Sequence, residues 1–425
     1  MSGYSAEERW ALEHDRSDPL GWCRGEFELP LGADGRPLIY FCGNSLGLMP
    51  RGARTLVDAE LEDWARLGVE AHFAGRTPWY SYAEGLREPL ARLVGARPHE
   101  VVAMNSLTIN LHLMLVSLYR PAGRRVKVLV EAAAFPSDAY AITSHLEARG
   151  VGRDAVLVAQ PRPGEALLRI DDLEALLAER GGEIALVWLG AVHYYTGQLL
   201  ALERIARAAR VAGCVVGFDL AHAAGNAILR MHAWDVDFAV WCSYKYLNAG
   251  PGAVGGCYIH ERHGGNHSLP RLAGWWGNDP ATRFRMQSRP EFVPVEGAAG
   301  WQVSNPPILA MAPLRAALAL FDRAGMPALR AKSERLTGYL EFLLDRLGPA
   351  RVGLLTPREA AARGCQLSLR LPGGAESLVA ALRERGIVTD YREPDVVRIA
   401  PVPLYNGFHE VWRFAGVLDE LLPRG

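Results

Sequence analysis

Residues 218–256 read FDLAHAAGNAILRMHAWDVDFAVWCSYKYLNAGPGAVGG. One apolar run ends at Asp219, and a second, DFAVWC, leads into Ser243-Tyr244-Lys245-Tyr246. A lysine at the mouth of an apolar strand is unusual, because burial of an ammonium group is costly unless the group is paired or loses its proton. A deprotonated lysine forms imines as a nucleophile, so Lys245 is a candidate catalytic residue.

Asp219 and Lys245 together indicate a site for pyridoxal phosphate. A carboxylate at a strand end keeps the ring nitrogen of that cofactor protonated, which makes the ring an electron sink. Each residue alone has an ordinary interpretation, since Asp219 would cap the next helix and Lys245 would be a solvated loop residue. Their combination in this context favours the cofactor site.

Outward from this segment, short apolar runs alternate with stretches of helical periodicity. The predicted elements are strands at 126–131, 184–189 and 215–219 and helices at 171–180 and 202–213. Apolar strands separated by amphipathic helices predict a mostly parallel sheet covered on both faces. Ligands bind beyond the carboxyl ends of such strands, and Asp219 stands at one of these ends.

After residue 300 the pattern changes. Two long helices are predicted at 306–321 and 326–347, and shorter strands and helices follow, up to a final helix from about Phe408. We therefore predict an α/β protein in three parts. They are an N-terminal arm at 1–40, a large cofactor-binding domain at 41–300 and a smaller C-terminal α+β domain at 301–425.

The composition excludes several classes of protein. Of the 425 residues, 49% are hydrophobic and 22% are charged, which is typical of globular domains. The 46 lysines and arginines balance 47 aspartates and glutamates, so no nucleic-acid or membrane partner is expected. The six cysteines include no C-x-x-C pair and the N-terminus shows no secretory signal, so we expect reduced thiols, no metal site and a cytoplasmic location.

Segment 218–256 resembles the cofactor core of fold-type I pyridoxal phosphate enzymes of the aminotransferase class V superfamily, and within them it is similar to the kynureninase family. Further stretches carry the same resemblance: YFCGNSLGLMP (40–50), AFPSDAYA (134–141), GWWGN (274–278), SNPPILAM (304–311) and APVPLYN (400–406). They run in order along most of the chain. The resemblance implies the fold-type I architecture with a smaller C-terminal domain and pyridoxal 5'-phosphate as the cofactor.

Residues 105–108, Asn-Ser-Leu-Thr, have the form of a helix N-terminus, which binds anions through its free N–H groups. An ordinary N-cap by Ser106 or Thr108 fits the same pattern. The resemblance implies these cofactor-binding residues: Leu107, Thr108, Phe135, Pro136, Ser137, Asp138, Asp219, His222, Tyr244, Lys245, Trp275 and Asn305. Without it, 136–138 would be a turn or a helix start and His222 a structural histidine. The family often has a hydroxyl residue where Gly190 stands, so one donor to the cofactor is expected to be missing or replaced by water.

For the substrate, the resemblance implies contacts from Ser45, His72, Asn305 and Arg398. A guanidinium grips a carboxylate in a planar, two-pronged manner, and Arg398 matches the residue for the amino acid carboxylate. His72 and Asn305 match residues near the aryl ring and the side-chain carbonyl, and Ser45 matches another wall of the pocket. Position alone would select none of them, because they would otherwise be turn, loop or surface residues.

The reaction that the resemblance implies is the hydrolytic cleavage of L-kynurenine, or of its 3-hydroxy derivative, to anthranilate or 3-hydroxyanthranilate and L-alanine. The expected catalytic residues are Lys245, which moves the α-proton, Asp219, which keeps the ring cationic, and Tyr244, which donates a proton from a phenol of lowered pKa. The resemblance also implies a homodimer with shared active sites, to which Trp275 contributes from the neighbouring subunit. Tryptophan breakdown, or NAD synthesis, is the metabolic setting that it implies.

Three other functions remain open on the sequence alone. A cysteine desulfurase needs an exposed thiolate, and Cys365 is the candidate, although its position in the alternating stretch CQLSLRL favours a buried thiol. A non-catalytic binding protein of the same fold would have no evident physical need for Asp219, Lys245 and Arg398 together. A nicotinamide dehydrogenase is least favoured, because PGAVGG (251–256) lacks the G-x-G-x-x-G pattern that opens a helix after a strand.

Overall fold

The computed structural model of the protein describes residues 3–371 and 373–423. The first two residues of the predicted arm, and residues 372, 424 and 425 of the predicted small domain, lie outside this part.

Within the described ranges, the strands are β1 (Phe27–Glu28), β2 (Ile39–Tyr40), β3 (Met49–Pro50), β4 (Val101–Ala103), β5 (Lys127–Glu131), β6 (Val156–Ala159), β7 (Ile184–Gly190), β8 (Val215–Asp219), β9 (Phe238–Trp241), β10 (Gly256–Ile259), β11 (Gly353–Leu354), β12 (Leu367–Arg370), β13 (Ile387–Val388), β14 (Asp390–Arg392) and β15 (Val396–Ile399). The α-helices there are α1 (Glu8–Arg16), α2 (Arg51–Leu67), α3 (Ala71–Ala74), α4 (Arg87–Val94), α5 (Leu107–Leu118), α6 (Pro136–Ala148), α7 (Ile170–Arg180), α8 (Leu202–Val211), α9 (Glu261–Gly264), α10 (Ile308–Ala324), α11 (Met326–Leu347), α12 (Ala375–Glu384) and α13 (Phe408–Leu421). Short 3-10 turns connect several of these elements.

The large sheet has seven strands in the order β4-β10-β9-β8-β7-β5-β6. All neighbouring pairs from β9 to β6 are parallel, and β10 pairs antiparallel with β9 and β4. In β7, Ile184–Leu189 are all buried, as expected for a strand covered on both faces. The prediction of a mostly parallel sheet flanked by helices is therefore confirmed.

The parallel strands bring separate parts of the sequence to one edge of the sheet. Gly190, at the end of β7, pairs with Asp219, at the end of β8. Because β9 runs parallel to β8, the loop that carries Lys245 leaves the sheet at this same edge. The carboxyl edge of the sheet is thus the place where the predicted site residues can meet.

A smaller sheet, β11-β12-β15-β14, is antiparallel and packs with α11, α12 and α13 around a core of its own. Ala11, Ile39 and Phe41 of the N-terminal region belong to this core. Helix α10, by contrast, buries Leu314, Leu318 and other side chains in the core of the large sheet. The boundary predicted between residues 300 and 301 stays a prediction. In the part of the chain that the structure describes, no helix has both the length and the apolar character of a membrane span.

Candidate active site

A pocket lies at the carboxyl edge of the large sheet. Its lining residues come from the ends of β5, β7 and β8, from the starts of α5 and α6, and from the loop after β9. The lining residues are Leu107, Thr108, Glu131, Phe135, Asp138, Gly190, Val192, Tyr194, Asp219, Ala221, His222, Cys242, Tyr244 and Lys245. Many of the residues predicted to bind the cofactor therefore line a single pocket.

Lys245 is buried beside a histidine that cannot hold a proton at neutral pH. Its Nζ lies 3.0 Å from Nε2 of His222, and Nδ1 of His222 is buried without a hydrogen-bond partner. Burial, reinforced by the positive charge of Lys245, lowers the pKa of His222 well below its ordinary value. The lysine therefore has a neighbour whose neutral form is favoured in a buried environment, which suits a group that must exchange its own proton.

Two carboxyl groups face each other near this lysine. Asp219 accepts a hydrogen bond from the backbone N–H of Ala221 at 2.7 Å, and Asp138 accepts one from Trp188 Nε1 at 3.0 Å. Burial raises the pKa of both carboxyls, and the charge of Asp219 raises that of Asp138 further, whereas Lys245 opposes the rise at Asp219. The charge of Asp219 and the opposing charge of Lys245 thus favour the protonated form more at Asp138 than at Asp219.

Glu131, at the end of β5, was not predicted as a site residue. Its Oε1 accepts a hydrogen bond from the N–H of Gly190 at 3.0 Å, and its Oε2 is buried without a partner. Burial raises the pKa of Glu131 to about 7. A Cβ atom on residue 190 would lie only 2.9 Å from Oε1, so the carboxyl group fills the space next to Gly190. The signal was present in the sequence, because KVLVE ends in an acid just as VVGFD does.

Two helices begin side by side at the other end of the pocket. Helix α5 starts at Leu107 and α6 at Pro136, and the hydroxyls of Thr108 and Ser137 lie 2.9 Å apart. Ser106 precedes α5 with an extended backbone but makes no side-chain cap, so the first N–H groups of α5 are left to other acceptors. Free N–H groups and two hydroxyls form a suitable site for an anion.

Two aromatic rings define the face of the pocket near Lys245. The ring of Phe135 is half-exposed, with its centre 5.7 Å from Lys245 Nζ, and it packs edge-to-face on Tyr194. The ring centre of Tyr244 lies 6.0 Å from the same atom. Burial raises the pKa of the Tyr244 phenol, which is the opposite of the lowered value expected from the sequence.

The loop that contains Ser45 packs directly on the lysine loop. The N–H of Gly47 donates to the carbonyl of Tyr244 at 2.8 Å. A Cβ atom on Gly47 would approach the carbonyl oxygen of Lys245 to 2.3 Å, which no side chain tolerates. Glycine at position 47 therefore permits the close approach that brings Ser45 near the pocket.

Arg398, on β15, is buried and already paired with a carboxylate. Its Nε donates to Asp390 Oδ1 at 2.7 Å, its Nη2 also contacts Asp390, and its Nη1 donates to the carbonyl of Tyr194 at 2.9 Å. Ser45 Oγ lies 3.2 Å from Arg398 Nη2 and donates to Asp390 at 2.8 Å. The two-pronged face of the guanidinium, which we expected to be free for a substrate, is therefore taken by Asp390 in this structure.

Seven of the predicted site residues are not in the lining of the pocket, namely Ser45, His72, Pro136, Ser137, Trp275, Asn305 and Arg398. Nδ1 of His72 lies 3.0 Å from the carbonyl oxygen of Val69, and the His72 ring packs against Trp79. Trp275 packs edge-to-face on Trp276, and Asn305 is exposed. Their assignments to the substrate and the cofactor stay predictions.

A separate cluster of titratable groups lies at the opposite edge of the sheet. Glu100, His232 and His260 come together there. Glu100 accepts hydrogen bonds from the backbone N–H groups of Arg97 and Glu261 and lies 2.9 Å from His232 Nδ1. Because internal donors already use this carboxylate, we assign the cluster a structural role.

Comparison with known proteins places the chain in a family. Residues 329–418 match the family model described as Kynureninase C-terminal domain. A kynureninase from Myxococcus xanthus (strain DK1622) is 55% identical, with 98% of this chain and 97% of the relative covered. One from Koribacter versatilis (strain Ellin345) is 51% identical, with 97% of each chain covered.

The chain belongs to the kynureninase family. The resemblance inferred from the motifs is thereby confirmed.

The solved structures that resemble this kynureninase-family chain show its fold. A cysteine desulfurase from Escherichia coli superposes with a TM-score of 0.77 at 19% identity, covering 94% of this chain and 98% of the other. A cystine C-S lyase, solved with its product cysteine persulfide, gives 0.75 at 22% identity, covering 90% and 97%. These likenesses confirm the predicted fold-type I architecture.

The alternative of a cysteine desulfurase is poorly supported by the thiol proposed for it. Cys365 is completely buried, and burial raises its pKa to about 12. A desulfurase requires an exposed thiolate, so Cys365 is not suited to that role. The kynureninase-family relatives, which match at more than twice the identity of the desulfurases, favour the hydrolase.

Proposed function

We propose that this pocket binds pyridoxal 5'-phosphate and hydrolyses L-kynurenine to anthranilate and L-alanine, with the 3-hydroxy derivative as a further substrate. The observation that carries the proposal is the buried Lys245 Nζ beside neutral His222, in one pocket with Asp219 and in a chain of the kynureninase family.

The residues that are present fit the cofactor. Buried polar atoms without partners, Oδ1 of Asp138 and Nδ1 of His222, lie on residues that line the pocket and match a polar ring. The start of α5, with Thr108 and Ser137, fits the phosphate, and Phe135 fits a ring face. When bound, the cofactor supplies an aldehyde for Lys245 and an acceptor for the electrons released at the substrate carbon.

Lys245 and Asp219 have distinct roles in this proposal. Nζ of Lys245 anchors the cofactor and then takes the α-proton of the substrate. Asp219 keeps the ring nitrogen protonated, which its pairing with the lysine charge and the Ala221 N–H supports. Burial and the charge of Asp219 raise the pKa of Asp138, which favours its protonated form as a donor without a second negative charge.

Tyr244 is proposed as the proton donor to the β-carbon of the substrate. Its raised pKa keeps the phenol protonated, so a proton is available on the oxygen for transfer to a carbanion.

Arg398, with Ser45 beside it, is proposed to bind the α-carboxylate of the substrate. His72 and Asn305 are proposed to bind its aryl end.

We also propose a homodimer with shared active sites, located in the cytoplasm. His72, Trp275 and Asn305 lie outside the pocket of their own chain, so a second copy is the natural source of the missing walls. Exposed apolar side chains, Met49 and Leu309 among them, line a groove next to the Lys245 loop. Light scattering of the purified protein tests the dimer, and a monomeric mass with full activity would contradict it.

The direct test of function incubates the purified, cofactor-loaded protein with L-kynurenine and follows the fluorescence of anthranilate. L-Cysteine with sulfide detection is the control. Cys365→Ala should keep the rate of anthranilate formation within twofold, because the thiol is buried and protonated. Sulfide release without anthranilate, abolished in this variant, would instead establish a desulfurase.

A further inference from the structure

Arg398 alone offers little to a substrate carboxylate in this structure. A guanidinium has five N–H groups. Asp390 engages the Nε group and one on Nη2, Ser45 lies within reach of the other Nη2 group, and the carbonyl of Tyr194 takes one on Nη1. One N–H on Nη1 is left, which is too few for a two-pronged grip.

Asp390 cannot easily release Arg398. Strands β14 and β15 place Asp390 directly opposite Arg398 in the antiparallel register. Arg398 is 1% exposed, so withdrawing its carboxylate partner would leave a buried, unpaired cation. We therefore treat the pair as a fixed, neutral unit.

Arg392, two residues after Asp390 on β14, supplies the charge that this unit lacks. Its Nη2 lies 3.3 Å from Asp390 Oδ2 and 3.5 Å from Ser45 Oγ. With two arginines and one aspartate, the cluster carries one net positive charge. The Arg392 side chain is 40% exposed, and its one further hydrogen bond is to the carbonyl of Tyr391, so it keeps N–H groups for a ligand.

The cluster lies next to the reacting end of the pocket. Tyr194, whose carbonyl binds Arg398, lines the pocket and packs on Phe135. The positive charges of Arg398 and Arg392 contribute to the lowered pKa of His222, the neighbour of Lys245.

We propose that Arg392 is a second substrate-binding residue, which binds the α-carboxylate of the amino acid together with the remaining N–H of Arg398 and with Ser45 between them. This inference rests on the proposed function, since it concerns the substrate of the same site. In this arrangement Arg392 provides the net positive charge that attracts the substrate carboxylate, and Asp390 positions the two arginines.

The experiment compares Arg392→Gln, Arg392→Met and Arg392→Lys with the wild-type holoenzyme. We expect the Gln and Met variants to raise KM for L-kynurenine about tenfold while kcat stays within threefold, because a charge-assisted contact to the carboxylate is lost in binding. Arg392→Lys should stay within threefold of wild type, because the charge is kept. Arg370→Gln is the matched control, since Arg370 lies on the same small sheet and pairs with Asp395 away from Ser45.

A binding measurement separates this inference from the proposed function. L-Alanine and L-alaninamide are titrated into the holoprotein and followed by the absorbance of the bound cofactor. Arg392→Gln should weaken L-alanine binding about tenfold and leave L-alaninamide binding within twofold. This result supports the inference even if wild type fails to cleave L-kynurenine, which would overturn only the proposed function.

Three results would overturn the inference. They are an unchanged KM in Arg392→Gln, equal losses in the Gln and Lys variants, and equal weakening of L-alanine and L-alaninamide. Retained cofactor absorbance in each variant shows that the fold of the pocket is intact.

Discussion

Asp219, which is buried, and Asp390, which is partly buried, are both carboxyl groups at the proposed active site, yet their pKa values move in opposite directions. At Asp219 burial outweighs the charge of Lys245 and the pKa rises. At Asp390 burial also raises the pKa, but hydrogen bonds and charge from Arg398, with further charge from Arg392, outweigh it and the pKa falls. At Asp390 the charged partners together outweigh burial, and at Asp219 they do not, so the balance between partners and burial sets the direction of each pKa shift.

The difference divides the site into two chemical regions. The cofactor region is poor in cations and holds neutral or proton-sharing groups, namely Asp138, Glu131 and His222. The carboxylate region contains Arg398 and Arg392 and holds Asp390, whose pKa they lower. Proton transfer belongs to the first region and recognition of a charged substrate to the second.

The largest expected effect is the loss of kcat/KM when the carboxylate of Asp219 is removed from the cofactor region. Asp219→Asn should reduce kcat/KM about 10³-fold, or about 4 kcal/mol, because a neutral amide no longer keeps the ring nitrogen protonated. Asp138→Asn is the matched control and should lose less than about tenfold, because the raised pKa of Asp138 already favours its neutral form. Steady-state kinetics with L-kynurenine provide both values, and equal losses in the two variants would contradict the division of roles.

The next largest expected effect is a loss of stability when Asp390, the partner of Arg398 in the carboxylate region, is replaced. Asp390→Asn should lower the free energy of unfolding by about 3 kcal/mol, since it leaves the buried Arg398 without a counter-charge. Denaturant unfolding measures this loss. Asp172→Asn, which breaks a similar two-pronged pair with the exposed Arg162, is the control and should change stability little. A loss in the control as large as in Asp390→Asn would show that burial of the pair is not the cause.

A smaller expected effect is a pH dependence of the free energy of unfolding that arises from Glu131 in the cofactor region. The pKa of Glu131 is raised from 4.5 to about 7 in the folded chain, so the folded state holds a proton that the unfolded state releases. This contribution to stability is fully present below about pH 4.5 and is lost as the pH rises through about 7. Relative to Glu131→Gln, the cofactor-free wild type should therefore lose about 2 kcal/mol of unfolding free energy between about pH 5 and about pH 7.

Unfolding titrations of both proteins across this range provide the comparison. Glu291→Gln, at an exposed position, is the control. A difference between wild type and Glu131→Gln that does not change with pH would show that Glu131 is ionised throughout.

The two regions also differ in how far the sequence predicts them. Asp219 and Lys245 follow apolar strands that lie next to each other in a parallel sheet, so their meeting could be predicted from strand order alone. The contact between Asp390 and Arg398 depends on the antiparallel register of two short strands, which no local pattern specifies.

Other features depend on packing that a single sequence does not encode. Glu131 fills the space beside Gly190 because position 190 has no side chain, a complementarity that exists only in the folded chain. Likewise, the raised pKa of Tyr244 follows from burial, and the sequence suggested the opposite direction. His72, Trp275 and Asn305 were assigned by resemblance, and the pocket of one chain does not include them.

The most direct test of the account is the chemical identity of the group that holds the cofactor. Purified protein loaded with pyridoxal phosphate is reduced with borohydride, digested and examined by mass spectrometry. We expect a phosphopyridoxyl mass on the peptide that contains Lys245, and its absence in Lys245→Ala. An unmodified Lys245 in protein that has bound the cofactor, or a label on another lysine, would contradict it.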